Sequence, residues 1–328
     1  MEPIQSIFPL SGVIESRIGG RSENQDYYGC RDTAIGTVIV VCDGMGGMQG
    51  GQVASMLAVN SILNSVETEQ PDADPADALF KAIRKANYDI MQTGAENPNL
   101  YGMGTTVTAL LLNQQCATVA YVGDSRVYQL RGKQKKFRTF DHSMVFEMVK
   151  SGVLTEEQAR LSDQSNVILK ALGIFPEIDP DIYKLPYEKG DRFVLCSDGF
   201  WGCMPEKELL KMITPKKDLG FVMQSAADRA DTIGHNKGGN HDNLTAAIVD
   251  VNCNSLMKEK MSKSVKMVLT LLSVLLLASL AANAYLATKA FAKVEAKSEI
   301  KVEKKNEQSE VVPTDNDTAQ AEAEKTAE

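Results

Sequence analysis

Four aspartates in this chain stand where apolar runs begin or end. Val38-Ile-Val-Val-Cys-Asp43-Gly44, Val119-Ala-Tyr-Val-Gly-Asp124-Ser125-Arg126 and Phe193-Val-Leu-Cys-Ser-Asp198-Gly199 each run straight into an aspartate and a tight turn. In a fourth place the order reverses, with Asp242-Asn243 leading into Leu244-Thr-Ala-Ala-Ile-Val. One aspartate after a strand is turn chemistry. Four of them at the mouths of buried strands pose a different problem, because clustered carboxylates repel and lose hydration. Hard divalent cations such as Mg²⁺ and Mn²⁺ solve both difficulties, since they take carboxylate, carbonyl and water oxygens. Gly44 and Gly199 would let the backbone approach such an ion closely. Two readings stand, a clustered metal site and four independent turns, and the shared placement favours the first.

The glycine-rich stretch from Asp43 to Gly51 raises a rival, because a strand, a glycine turn and a helix can cradle phosphates in dinucleotide-binding folds. Its spacing, Gly44, Gly46 and Gly50, is one residue off that fingerprint. A carboxylate just before the glycines would also repel a pyrophosphate unless a cation sat between them. The loop therefore favours a metal-and-phosphate site over a nicotinamide site. Composition narrows the field further. A net charge of −8, from 35 basic and 43 acidic residues, leaves no basic excess for nucleic acid. Three histidines (His142, His235, His241) argue against a histidine-rich metal site. Six cysteines without a C-x-x-C spacing argue against structural zinc. Cys42 and Cys196 end apolar runs and read as buried thiols of a reducing compartment.

At roughly 150 residues per domain, the 328 residues allow two domains or one large one. Strands are expected at 37–42, 105–112, 117–122, 126–131, 192–196 and 244–251, and helices at 51–66, 75–93, 155–161 and 205–213. Leu79, Ile83, Ala86 and Ile90 mark one face of the second helix, and Thr155-Glu-Glu-Gln158 is a capping box opening the third. Strands come in neighbouring pairs, 117–122 with 126–131 for example. That predicts antiparallel sheets covered by helices rather than βαβ alternation. The first fifteen residues lack a basic region and a long apolar stretch, so no signal peptide is expected.

Beyond about residue 256 the character changes. Residues 257–266 form a basic linker, and 267–288 carry no charge. At 1.5 Å per residue that run spans about 33 Å against a hydrocarbon core of about 30 Å, and it reads as a transmembrane helix rather than a buried core helix. Residues 289–328 form a charged tail. Lysine and glutamate alternate from Lys293 to Glu307, which places like charges at i,i+4 on a helix and also fits an extended segment, so its conformation stays open. The remainder is acidic, lacks aromatic residues and is expected to be disordered.

Six motifs then fall in order over about residues 13–250: Arg21-Ser-Glu-Asn-Gln-Asp26, Asp43-Gly-Met-Gly-Gly47, Gly104-Thr-Thr106, Gly123-Asp-Ser-Arg126, Ser197-Asp-Gly199 and Asp242-Asn-x-Thr245. The series resembles that of metal-dependent serine/threonine protein phosphatases of the protein phosphatase 2C (PPM) type. Asp141-His-Ser143 with Gly152-x-Leu154-Thr155, and the run from Asn166 to Gly173, resemble the flap of bacterial members. The resemblance implies an α+β fold, a four-layer α-β-β-α sandwich of two antiparallel sheets over residues 1–256, with two Mn²⁺ or Mg²⁺ ions at one end. It implies that Asp43 bridges the two metals, that the Gly44 carbonyl contributes to one, and that Asp198 and Asp242 hold the other. Arg21 would grip the substrate phosphate and Asp26 would orient metal-bound water. Asp124, with Asp198, would hold a third and weaker metal. Substrates would be phosphoserine and phosphothreonine proteins, opposite a serine/threonine kinase.

Two positions depart from the pattern. Gln25 stands where many relatives have glutamate, a poorer acceptor that is expected to lower affinity for one metal. Met45 stands where eukaryotic members carry a general-acid histidine, although bacterial members commonly share the methionine. A catalytically weak phosphopeptide-binding module is therefore the alternative, and a nucleotide-binding enzyme a remote third. Other residues have plainer readings: His142 caps a helix, His241 supports Asp242 or faces solvent, Met45 and Met48 pack the loop, and Trp201 is core. Within about twenty residues of the apolar run, four lysines precede it (Lys258, Lys260, Lys263, Lys266) and six follow it (Lys289, Lys293, Lys297, Lys301, Lys304, Lys305), so the positive-inside rule leans towards an inside tail. Reduced cysteines and kinase-made substrates instead place the catalytic domain in the cytoplasm and the tail outside it.

Overall fold

Val38, Val40 and Cys42 pack beneath helices, whereas Ile39 and Val41, between them in sequence, pack against a second sheet. This period-two split of one apolar run means that both faces of the strand are covered. The computed structural model describes residues 1–46, 50–258 and 263–307. Gly47 and Met48 of the glycine loop, part of the 257–266 linker and the tail beyond 307 lie outside the described residues. The chain divides into two compact units, Met1–Glu259 and Lys260–Glu328.

In chain order the strands are β1 (Glu2–Ile4), β2 (Leu10–Arg17), β3 (Asp26–Thr33), β4 (Gly36–Met45), β5 (Gly104–Thr105), β6 (Val107–Leu112), β7 (Ala117–Val122), β8 (Arg126–Arg131), β9 (Gln134–Arg138), β10 (Asp181–Leu185), β11 (Asp191–Cys196) and β12 (Leu244–Val251). The helices are α1 (Gly50–Glu67), α2 (Pro75–Glu96), α3 (Met144–Lys150), α4 (Glu156–Arg160), α5 (Asp198–Gly202), α6 (Glu206–Ile213), α7 (Leu219–Asn236) and α8 (Lys263–Glu307). One sheet runs β1-β2-β12-β11-β8-β9 and the other β10-β7-β6-β4-β3, with β5 on β4. Every pairing is antiparallel. Three cores separate the layers. The first lies between α1, α2 and the second sheet. Another lies between the first sheet and helices α3, α5, α6 and α7. The third, with Ile39, Leu110, Phe193 and Leu195, lies between the sheets. Each such side chain contributes about 1.5–3 kcal/mol on burial, enough to hold strand ends rigid around a costly polar cluster.

The structure departs from the sequence reading in instructive places. Strands β7 and β8 do not pair with each other, because β7 joins β6 and β10 while β8 joins β11 and β9. The turn between them crosses from sheet to sheet and sets Asp124 at the seam. The run expected at 105–112 is broken at Thr106, where the backbone turns to bond Asp43. Helix α7 has no counterpart in the sequence reading, since half of its buried face is alanine (Ala226, Ala227, Ala230), which contrasts little with the residues around it. The capping box at Thr155 and Gln158 forms as expected.

The second unit contains α8, in which Thr270–Val294 is long and apolar enough to cross a membrane. The helix continues to Glu307 through the alternating lysines and glutamates. Once the apolar turns have nucleated it, Lys, Glu and Ala propagate it well, and like-charge pairs at i,i+4 cost only about 0.2–0.5 kcal/mol each.

Candidate active site

Strand registers bring the acids to one end of the sandwich. Asp26, opening β3, faces Asp43 near the end of β4. Cys196 of β11 pairs with Ala246 of β12, so Asp198, just after β11, and Asp242, just before β12, fall at the same end. A cleft of about 650 Å³ opens there, lined by Arg21, Asp43, Gly44, Asp124, Asp198 and Asp242. Asp26 is buried beside them. All seven sequence-predicted residues thus come together.

Short polar side chains that the sequence reading left without a role hold these acids in place. Thr105 Oγ1 and Thr106 N both donate to the Asp43 carbonyl at 2.8 Å. The Asp43 N–H donates to Thr106 Oγ1 at 3.0 Å. Ser197 Oγ donates to Asp26 Oδ2 at 2.8 Å. Asn243 is a staple: its Nδ2 donates to the Ile18 and Glu23 carbonyls at 2.8 and 2.9 Å, and its Oδ1 accepts from Gln25 N at 2.9 Å. That fixes the Arg21 loop next to Asp242, whose Oδ2 pairs with Arg21 Nη2 at 2.9 Å. The signal available in sequence was only an asparagine beside an aspartate at a strand start. The glycines serve backbone packing. A Cβ on Gly44 would lie 2.1 Å from the Gly51 carbonyl oxygen, and one on Gly199 would lie 2.1 Å from that of Asn243.

The site is short of positive charge. Burial, reinforced by the charges of Asp198 and Asp242, raises Asp26 to about 7 against hydrogen bonds from Thr245 and Ser197. Burial and the charge of Asp242 raise Asp198 to about 6. Asp43 and Asp124 are pushed well above the carboxylate range, again by burial first and neighbouring aspartates second. Buried oxygens Asp26 Oδ1, Asp124 Oδ1 and Asp198 Oδ1 have no hydrogen-bond partner. Unpartnered carboxylate oxygens in and beside one cleft are the donor set that hard divalent cations take, so the residues fit Mn²⁺ or Mg²⁺.

The flap motif turns out to be mostly support. Arg126 Nε and Nη2 bond Asp141 at 2.8 and 2.7 Å, and its guanidinium lies 3.3 Å from the Trp201 ring centroid. Trp201 is core as expected, and its Nε1 donates to the Asp124 carbonyl at 3.0 Å. His142 does not cap a helix. Its N–H donates to the Gly123 carbonyl at 3.0 Å, its Nδ1 accepts from Gly123 N at 3.1 Å, and its ring stacks on Tyr121. The neighbouring glycine offers a complete backbone pair, which a helix end does not, so His142 locks the turn carrying Asp124. His241 is inward-facing and bonds Asp231 rather than solvent.

Residues 15–232 match the family described as Protein phosphatase 2C. The serine/threonine phosphatase stp of Listeria innocua is 32% identical over 237 residues, covering 71% of this chain and 89% of that protein. The solved S. agalactiae serine/threonine phosphatase superposes with a TM-score of 0.65 at 31% identity, over 74% of this chain and 100% of its own. The catalytic domain of the serine/threonine protein phosphatase PstP, in complex with two manganese ions, gives 0.64 at 29% identity, over 74% and 98%. The chain belongs to the protein phosphatase 2C family, a metal-dependent one, and is a protein serine/threonine phosphatase.

Proposed function

We propose that this phosphatase is membrane-anchored and works with two Mn²⁺ or Mg²⁺ ions held by Asp43, the Gly44 carbonyl, Asp198 and Asp242, with a third and weaker site at Asp124 and Asp198. The observation that carries this reading is the set of three unpartnered, buried carboxylate oxygens, those of Asp124 and Asp198 on the cleft and that of Asp26 behind it, paired with Asp43 across the strands. Bound there, such ions would neutralise phosphate charge and bring a water's pKa towards neutrality. Arg21 supplies a planar fork that matches phosphoryl oxygens. Asp26, whose Oδ1 is free of protein donors, would orient the attacking water. Met45 has no proton to give, so leaving-group protonation falls to another donor. Manganese-dependent phosphate release from p-nitrophenyl phosphate and from a phosphothreonine peptide tests the reading. Peptide binding without turnover would favour the phosphopeptide-binding module instead.

The same proposal assigns residues 1–256 to the catalytic domain, 257–266 to a linker, 267–288 to a single membrane span and 289–328 to a tail. Leu271, Leu272, Leu275, Leu276 and Leu277 are each more than half exposed on α8, a surface that water would penalise and lipid would not. Six free cysteines fit a cytoplasmic catalytic domain. Phosphoserine and phosphothreonine proteins made there by an opposing kinase are the substrates. Protease added to intact cells or spheroplasts should trim the tail and spare the phosphatase domain. Digestion of the domain with the tail protected would reverse the orientation.

A further inference from the structure

Two of the three histidines meet on one carboxylate outside the acidic cluster. Asp231 and His235 lie one turn apart on α7, and His241 comes from the loop that returns to β12. His241 Nε2 stands 2.7 Å from Asp231 Oδ1, and His235 Nδ1 stands 3.7 Å from the same oxygen. Ligand atoms from the three residues all lie within 4.8 Å of one another. We propose that Asp231, His235 and His241 form a separate binding site for a borderline divalent ion of the Zn²⁺ class.

Donor chemistry separates this site from the cleft. Imidazole nitrogen with one carboxylate suits Zn²⁺, whereas the all-oxygen acidic cluster suits Mg²⁺ or Mn²⁺. Zinc bonds of about 2.0–2.1 Å to nitrogen set tetrahedral ligands about 3.3 Å apart, and the observed 2.7 and 3.7 Å straddle that value. His235 Nδ1 also lies 2.9 Å from the Asp231 carbonyl oxygen, so taking an ion replaces that contact. The i,i+4 spacing places Asp231 and His235 on one helix face. His241 is held from behind, since a Cβ on Gly234 would lie 2.1 Å from its Cγ, so only glycine leaves room for the ring. Arg17 Nη1 lies 3.9 Å from Asp231 Oδ2, but it is already engaged by Asp228 at 2.7 Å, and Arg17 Nε by Glu15 at 2.9 Å. Its placement on Oδ2 leaves Oδ1 facing the histidines. His235 is 63% exposed, which provides an entry path and room for water as a fourth ligand. The donor count of three, one of them exposed, implies an exchangeable ion. Because His241 directly precedes Asp242, and Gly20 N donates to the His241 carbonyl at 3.0 Å, an ion here would pin the backbone that carries Arg21 and Asp242.

The plainer alternative is a His241–Asp231 hydrogen bond with His235 a bystander. Histidine-selective ¹⁵N NMR of the full chain decides between them, because only three imidazoles contribute and His142 serves as an internal control. With the acidic cluster saturated by excess Mg²⁺, Zn²⁺ should shift the His235 and His241 ring nitrogens and leave His142 unmoved. His235→Ala should weaken that response at His241 by at least about tenfold, the scale seen when even outer-shell partners of metal ligands are lost. Its Mg²⁺-supported phosphatase activity should stay at the wild-type level. Unmoved His235 and His241 signals, or an unchanged Zn²⁺ response of His241 in His235→Ala, would overturn the site.

Discussion

Buried aspartates occur at both ends of this sandwich, and they are treated in opposite ways. Asp191, fully buried, accepts from Arg131 Nε and Nη2 at 2.7 and 2.8 Å and from Gln129 Nε2 at 3.0 Å. Asp141, behind the cleft, is clamped by Arg126. Asp26 and Asp124 are buried too, and Asp198 lines the cleft, yet each keeps a buried oxygen with no partner. Desolvation is offset by an arginine in the first group and left standing in the second. Burial alone therefore does not mark a functional acid; burial without compensation does.

Exchanging carboxylate for amide tests that contrast most severely. Asp43→Asn, Asp198→Asn and Asp242→Asn should each lose turnover by about a thousandfold or more at saturating Mn²⁺, because the uncatalysed ester is so slow. Wild-type-like rates in two of the three would remove the metal assignment. Asp141→Asn should behave differently, stranding Arg126 and costing about 3–5 kcal/mol of stability, read by denaturant titration. A loss under about 1 kcal/mol would erase the distinction between the two groups.

Arg21→Ala should lower kcat/KM by roughly ten- to a hundredfold, the value of about 1.5–3 kcal/mol for a charged hydrogen bond. An unchanged kcat/KM would put Arg21 outside the site. The raised carboxylates also give the metal-free protein a pH dependence. Asp26 at about 7 and Asp198 at about 6 bind protons more tightly folded than unfolded. Their contribution is full below the ordinary carboxylate value and is lost as pH rises through 6 and then 7. His142, held low by burial, opposes this with a single proton. Thermal melts in chelator should fall across that window, and Mn²⁺ should restore the high-pH value. A melt that rises with pH would contradict the cluster's electrostatics. The smallest effect belongs to Asp124→Ala, which should keep most activity on small aryl phosphates while altering Mn²⁺ dependence. Complete loss in a folded protein would move Asp124 into the central site.

Much of this was legible along the chain because strands write their burial locally. A run such as residues 38–42 reports by its continuous apolarity that both faces are covered, and the aspartate after it reports where the strand stops. Motif order then named the acids, and an uncharged stretch after residue 266 named the apolar helix. Partnership is not written locally. Whether Asp141 or Asp124 stays uncompensated depends on Arg126 turning onto Asp141 and Trp201, which the crossing of β7 and β8 between sheets decides. His142 found Gly123, and His241 found Asp231, only because distant segments fold against one another, and no spacing along the chain encodes those meetings. Sequence determined which groups could do chemistry and at which strand ends they stand. Tertiary packing decided which of them kept their charge unmet, because compensation is a matter of distance in space, and distance in space is set by the sheets.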